Sequence, residues 1–133
     1  MDVVAPGVCI YTTDLQGGAG QTSNDYWSCF SGTSAACPNV AGVMALILSM
    51  NPNLNLSQAR QILESTTDKL SGYTFALNVT GQPNGSWNNE VGYGRVNAYN
   101  AVLRAAGGPI LGPDLVCTSN GPYTLQGPLL AGA

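Results

Sequence analysis

The sequence predicts an α/β fold, and three observations support this prediction. The first third of the chain is rich in turn residues and contains two short β-prone runs, Val8–Tyr11 and Tyr26–Phe30. A long run from Ser34 to Met50 follows that is apolar on almost every face, which is typical of a helix buried on all sides. Two further helix patterns, each with start and stop signals, occupy the second half of the chain.

Each of the first elements rests on local signals. Gln16–Gly20 is rich in glycine and joins the two β-prone runs as a hairpin loop. Pro38 is compatible with the first turns of the apolar helix, where backbone N–H groups lack partners, and Asn51-Pro52 ends that helix. The next helix is predicted to start with Ser57 as its N-cap. It presents one apolar stripe, formed by Ala59, Ile62, Leu63 and Thr66.

The chain is predicted to contain two parts of unequal size. Residues 71–90 form a Gly- and Asn-rich loop, and Asn97–Ala106 form a last helix that is closed by glycine. The segment 107–133 contains six Gly and four Pro, so it cannot bury a core of its own. The sequence therefore predicts one unit over 1–106, then a linker and the beginning of a truncated β-rich domain over 107–133.

Charge is scarce along the chain and unevenly placed. Of the 133 residues 8% are charged, against roughly 25% in an average soluble domain. No Asp, Glu, Lys or Arg lies between Tyr26 and Ala59. We interpret this stretch as the interior of a folded unit larger than the chain itself.

Several classes of partner gain no support from the composition. The net charge of −3 comes from scattered groups without a basic patch, which argues against binding to nucleic acid or to an anionic membrane. The longest apolar run, Val40–Met50, is well short of the ~20 residues that span a bilayer, so no membrane span is predicted. Residues 1–4 show no basic region and no cleavage pattern, so no signal peptide is visible.

Ser34 lies where the strand-and-turn region passes into the apolar helix. A hydroxyl at this point is close to backbone N–H groups and to the positive end of the helix dipole, which are the features that stabilise the oxyanion of an acyl-transfer intermediate. Serine also caps helices frequently, and on position alone capping is the simpler interpretation of Ser34.

The residues around Ser34 favour the catalytic interpretation. Ser31-Gly32-Thr33-Ser34-Ala35-Ala36-Cys37-Pro38-Asn39-Val40-Ala41-Gly42 closely resembles the nucleophile motif of the subtilisin-like (S8) serine peptidases. Other segments that resemble the family occur in the family's order over residues 1 to about 106. They are Asp2–Val8, Ala45–Leu48, Asn51-Pro52, Gln58–Leu63 and Gly92–Ala98.

The resemblance implies a fold and a set of roles. The fold is the C-terminal portion of a subtilisin-like three-layer parallel-sheet domain. Ser34 is implied to be the nucleophile, with its amide as one oxyanion donor, and Ser31, Gly32 and Thr33 to form one wall of the substrate pocket. The implied partners are protein or peptide substrates of a secreted enzyme. No cofactor or metal is implied for this segment, whereas Ca²⁺ is compatible with the full-length protein.

The order of the catalytic residues decides where the remaining machinery should lie. In subtilisin-like enzymes the triad runs Asp, His, Ser, so both partners of Ser34 are expected upstream of Met1, together with the oxyanion Asn. An α/β-hydrolase would need a His downstream, and the chain contains no His at all. We therefore expect a fragment that is inactive alone. The alternative is a protease-like binding or structural domain that has lost its triad.

The cysteines and one departure from the family pattern complete the predictions. Cys9 and Cys29 flank the glycine-rich loop and either form a disulfide or remain unpaired small apolar residues. Cys37 is expected to be a buried, inert thiol. Asn39 stands where many family members have a non-catalytic His. Cys117 lies in a stretch, from Gly112 to Leu125, with a weak resemblance to the opening of Ig-like β domains.

Overall fold

The computed structural model describes residues 1–107, so the predicted linker and β-rich segment lie outside it from residue 108 onward. Two strands precede three helices along the chain. They are β1 (Ile10–Thr13), β2 (Tyr26–Phe30), α1 (Thr33–Met50), α2 (Leu56–Ser65) and α3 (Ala98–Ala105). The strands form an antiparallel hairpin, and α1 packs against both α2 and α3.

The hairpin differs from its prediction at its first strand. The prediction began β1 at Val8, but the strand begins at Ile10. Cys9 has a φ of 50°, a left-handed conformation that cannot continue an extended strand. An irregularity in register between Ile10 and Thr12 also marks this end of the hairpin, whereas β2 has the predicted bounds.

The start of α2 was predicted wrongly. Asn55, not Ser57, is the N-cap. Its side-chain oxygen accepts a hydrogen bond from the Gln58 amide at 3.0 Å, and the Gln58 side chain accepts one from the Asn55 amide at 2.9 Å. This reciprocal pair satisfies two backbone donors at once, which a serine two residues later cannot do.

The described core lies between the three helices. Val43 and Ile47 project from α1 toward the other two helices, and Ile47 is fully buried. Alanines supply much of the opposing surface, which lets the helix axes approach closely. The remaining buried members of the cluster are Ala59, Leu63, Ala101 and Ala105.

The opposite face of α1 is open in the described chain. Only 17% of the helix is buried, and Leu46 and Met50 are 49% and 48% exposed. The helix is therefore not buried on all sides within residues 1–107, and its burial inside a folded unit larger than this chain stays a prediction. With 18 residues and a mean hydropathy of 1.5, α1 has the length and composition to cross a membrane, a test that core helices of globular proteins also pass.

The N-terminal residues pair in parallel with the segment that precedes α3. Val4 donates its amide to the Gly94 carbonyl at 3.0 Å and accepts from the Val96 amide at 3.0 Å. Gly92 has a φ of 63°, and a Cβ there would lie 2.2 Å from the Asp2 carbonyl oxygen. The two segments can approach only because this position is glycine.

Candidate active site

The turn before α1 is built from two glycines that touch. Gly32 donates its amide to the Gly7 carbonyl at 2.7 Å and has a φ of 117°, which side chains rarely allow. A Cβ on Gly7 would meet the Gly32 carbonyl oxygen at 2.8 Å. That same carbonyl accepts hydrogen bonds from Ala35 and Ala36, so the glycine pair fixes the first turn of the helix.

Ser34 is the second residue of α1 and is exposed. The N-cap residue is Gly32, and no side chain caps this helix, so the capping interpretation of Ser34 is wrong. Within residues 1–107, neither the amide nor the hydroxyl of Ser34 has a hydrogen-bond partner. A hydroxyl and a donor amide of one residue therefore both face solvent at the positive end of a helix of 18 residues.

Two residues of α1 shape the backbone just after Ser34. Pro38 has no N–H, so the Ser34 carbonyl receives no hydrogen bond from the residue four positions later. Asn39 donates its side-chain amide to the Pro6 carbonyl at 2.9 Å and to the Ala35 carbonyl at 3.2 Å. Asn39, the residue that departs from the family pattern, thus connects α1 to the segment that contains Pro6 and Gly7.

The predicted pocket wall continues into the hairpin. The Ser31 hydroxyl accepts a hydrogen bond from the Cys9 amide at 2.8 Å and lies 3.9 Å from the Cys29 sulfur. Cys9 and Cys29 form a disulfide in the structure. Ser31 and Thr33, which flank Gly32 in the chain, are both exposed, as Ser34 is. The disulfide therefore lies directly against one of the three residues expected to line the pocket.

Cys37 does not match its prediction. It was expected to be buried, but it is a free, exposed cysteine on α1. The exposure has the same cause as that of Leu46 and Met50, because the described chain offers nothing that packs on the outer face of this helix.

A network that the sequence did not reveal joins helix α2 to the loop over residues 71–90. Glu64 is 2% exposed, and its carboxylate accepts from the Arg60 Nε at 2.5 Å and from the Asn84 side-chain amide at 2.6 Å. The backbone amide of Asn84 donates to the hydroxyl of Tyr93, which is fully buried, at 3.3 Å. The only sequence signal was the i,i+4 spacing of Arg60 and Glu64.

Lys69 holds the same loop from a second direction. Its ammonium donates to the carbonyl oxygens of Ser86 at 2.8 Å and Tyr93 at 2.6 Å, and it lies 4.7 Å from the centroid of the Phe75 ring. Burial lowers the pKa of Lys69. Burial also raises the pKa of the Tyr93 hydroxyl. These groups serve the packing of the loop over residues 71–90, since none of them contacts the turn at Ser34.

No metal site is formed in the part of the chain that the structure describes. Residues 1–107 contain no group of three or more His, Cys, Asp or Glu side chains close enough to hold an ion. The Asp2 carboxylate, one oxygen donor of the kind that Ca²⁺ prefers, lies instead 3.2 Å from the Arg60 guanidinium. These residues do not fit a calcium ion.

The sequence of this chain is similar to those of known proteases. Relatives include a calcium-dependent protease of Trichormus variabilis (strain ATCC 29413 / PCC 7937), 41% identical over 83 residues. A thermophilic serine proteinase of Bacillus sp. (strain AK1) is 42% identical over 102 residues, and subtilisin DY of Bacillus licheniformis is 47% identical over 70 residues. These matches cover 62%, 77% and 53% of this chain but only 12%, 20% and 23% of the relatives.

A solved structure and a family model add to these matches. The psychrophilic subtilisin-like protease Apa1 from Pseudoalteromonas sp. AS-11 is 36% identical, with a TM-score of 0.49, over 68% of this chain and 18% of that one. The model of the subtilase family matches residues 1–94. This range includes the glycine turn, Ser34, and the contacts of Gly92 and Gly94 with the N-terminal residues. The chain belongs to the subtilase family, the S8 peptidases.

Proposed function

We propose that the chain is the C-terminal part of the catalytic domain of a serine endopeptidase that cleaves peptide bonds through an acyl-enzyme on Ser34. The observation that carries the proposal is the state of Ser34, whose hydroxyl and amide are exposed and unpartnered at the start of α1 within the described residues. Ser31, in contrast, uses its hydroxyl to accept a hydrogen bond from the Cys9 amide.

The residues present supply two parts of the reaction. The Ser34 oxygen attacks the carbonyl carbon of the scissile bond, and its proton passes to a base. The amide of Ser34 is one donor to the oxyanion that forms. The C–N bond then breaks, the amine leaves with the proton, and water hydrolyses the ester. Gly32 leaves open space two residues before Ser34, since a Cβ there would have no atom of residues 1–107 within 4 Å.

The base must come from outside this chain. Serine is a weak nucleophile without a neighbouring base, and the chain contains no histidine. In the family's order the Asp and His precede the serine, so we place both, and the oxyanion Asn, in sequence encoded upstream of Met1. The open outer face of α1 supports this placement, because it leaves apolar side chains for further chain to cover. By itself the chain is expected to be inactive.

The setting of the longer protein is part of the same proposal. We propose a secreted enzyme acting on proteins or peptides, with neither nucleic acid nor a membrane span involved. The Cys9–Cys29 disulfide supports an oxidising compartment. Two relatives carry the name calcium-dependent protease, and this name supports Ca²⁺ binding by the full-length protein.

Hydrolysis of casein and of short peptides by the protein translated from the longer reading frame tests the function. We expect Ser34→Ala to lower kcat by about 10⁶-fold, the size of the loss when a subtilisin, from the same family, loses its triad serine. Ser49→Ala, which removes another hydroxyl from α1, should leave kcat/KM unchanged. Binding of peptides without hydrolysis by the unmutated protein would instead support the protease-like binding domain.

A further inference from the structure

The two faces of the β1–β2 hairpin carry different aromatic pairs. Trp27 and Phe30 are partly buried, and their ring centroids lie 5.3 Å apart. Tyr11 and Tyr26 point the other way and are 68% and 54% exposed. Their rings stack at 5.9 Å with an interplanar angle of 21°. The tyrosine pair therefore contributes little to the core of the described chain, although it forms an ordered apolar surface.

A concave surface adjoins the tyrosine pair. Its volume is about 530 Å³, and it is lined by Tyr11, Tyr26, Ser28 and residues 22–25. Hydrogen bonds within the hairpin loop fix its shape. The Asp25 carboxylate accepts from the Gly17 amide at 2.9 Å, and the Thr22 hydroxyl lies 2.9 and 3.0 Å from the carbonyls of Asn24 and Tyr26.

Charge around this concave surface is negative. The first Lys or Arg of the chain is Arg60, whereas Asp14 and Asp25 both belong to the hairpin loop. Hydrogen bonds from backbone amides, that of Thr22 first, lower the pKa of Asp14, so its carboxylate stays ionised at neutral pH. Only one oxygen of the Asp25 carboxylate has a partner among the described residues, which leaves the other available to a ligand.

We propose that Tyr11, Tyr26 and Asp25 form a binding site for a basic side chain, Arg or Lys, of an extended polypeptide substrate. The site deepens the proposed function and rests on it, because the hairpin leads directly into Ser31 and Ser34. Faces of tyrosine rings attract cations, and the carboxylate adds a charge-assisted partner. Strand β2 spans about 15 Å at ~3.3 Å per residue, so the basic residue lies about four to six positions from the scissile bond.

A peptide series tests this site on the protein translated from the longer reading frame. Each peptide carries arginine, or its neutral analogue citrulline, at one position between four and six residues from the scissile bond, on either side. We expect arginine to raise kcat/KM about fivefold over citrulline at one of these positions, mainly through KM. Tyr26→Thr and Asp25→Asn should each reduce this preference, while Tyr26→Phe, which keeps the ring, should retain most of it.

The control is Tyr73→Thr, which removes an exposed tyrosine from the loop over residues 71–90 and should leave the arginine preference intact. Equal kcat/KM for arginine and citrulline at every position would overturn the inference while leaving the peptidase function standing. Anisotropy of labelled peptides on the Ser34→Ala variant measures binding without hydrolysis. A fivefold tighter binding of arginine there supports the site even if no peptide is cleaved by the unmutated protein, whereas equal binding contradicts it.

Discussion

The regions around Tyr93 and around Ser34 differ in whether their polar groups have hydrogen-bond partners. Near Tyr93, buried groups are paired: the Glu64 carboxylate has two donors, and the Lys69 ammonium has two carbonyl acceptors. Near Ser34, an exposed amide and hydroxyl are left without partners in residues 1–107. The first arrangement stabilises a loop. The second leaves the amide and the hydroxyl of Ser34 without protein partners in this part of the chain, as the proposed nucleophile requires.

The helix α1 shows a similar contrast between its own two faces. Ile47 is fully buried against α2 and α3, whereas Leu48, the next residue, is 39% exposed. A helix that is apolar all round is normally buried on all sides. We therefore expect other parts of the complete protein to cover the exposed face of α1. One face of α1 thus stabilises the fold of residues 1–107, and the other face is available for packing against further chain.

The largest difference in stability should appear between the two faces of α1. In the isolated chain Ile47→Ala should lower the free energy of unfolding by about 3 kcal/mol, because it leaves a cavity in the helix core. Leu48→Ala should change it by no more than about 0.5 kcal/mol. Urea denaturation followed by circular dichroism measures both.

The same pair in the longer protein sharpens the comparison. If upstream sequence covers the outer face, Leu48→Ala should there cost a comparable amount, about 2 kcal/mol or more. Equal costs for the two substitutions in the isolated chain, or a negligible cost for Leu48→Ala in the longer protein, would contradict the division of α1 into a packed and an open face.

A smaller loss is expected from breaking the buried carboxylate network. Glu64→Ala should lower the free energy of unfolding by about 2 kcal/mol, because it strands the Asn84 side-chain amide and part of the Arg60 guanidinium. Glu64→Gln keeps an acceptor and the side-chain volume, so it should cost less. Gln61→Ala, on the exposed side of the same helix, is the matched control. A loss no greater than that of the control would show that the network adds nothing to the fold.

The smallest effect concerns stability at alkaline pH. Burial raises the folded pKa of Tyr93 above the 10.0 of a free tyrosine. The unfolded chain therefore loses the proton first, and the stabilising contribution of Tyr93 is complete below pH 10 and lost as the pH rises through the folded pKa. Denaturation midpoints between pH 9 and 11 should fall less steeply in Tyr93→Phe. An unchanged slope would show that the hydroxyl titrates as in the unfolded chain.

The elements of the fold were predictable because their signals are local. The apolar run gave α1 to within one residue, and β2 matched its prediction. The failures came from choices between neighbouring signals: Asn55 was preferred to Ser57 as a cap because Gln58 could complete the reciprocal pair. The left-handed φ of Cys9, which shortens β1, has no signature in a residue that usually favours extended backbone.

The site was predictable in part, and for a different reason. Ser34 and Gly32 stand in one continuous motif, so their proximity follows from the chain itself, whereas the contact of Gly32 with Gly7 joins positions 25 residues apart. The hydrogen bonds of Asn84 in the Glu64 network join residues 9 and 20 positions apart through a loop of irregular structure, and periodicity carries no information on such contacts. Cys37 was expected to be buried because it stands in an apolar helix. An apolar pattern predicts burial, but it does not reveal whether the covering residues belong to this chain or to further chain that packs on the outer face of α1.

Covalent labelling tests the central claim most directly. A fluorophosphonate reacts with a serine only when a neighbouring base activates it. In the protein translated from the longer reading frame, mass spectrometry should locate one phosphonyl group on Ser34, and Ser34→Ala should abolish the labelling while Ser49→Ala does not. Labelling of another residue, or peptide hydrolysis that persists in Ser34→Ala, would contradict the assignment of Ser34 as the nucleophile.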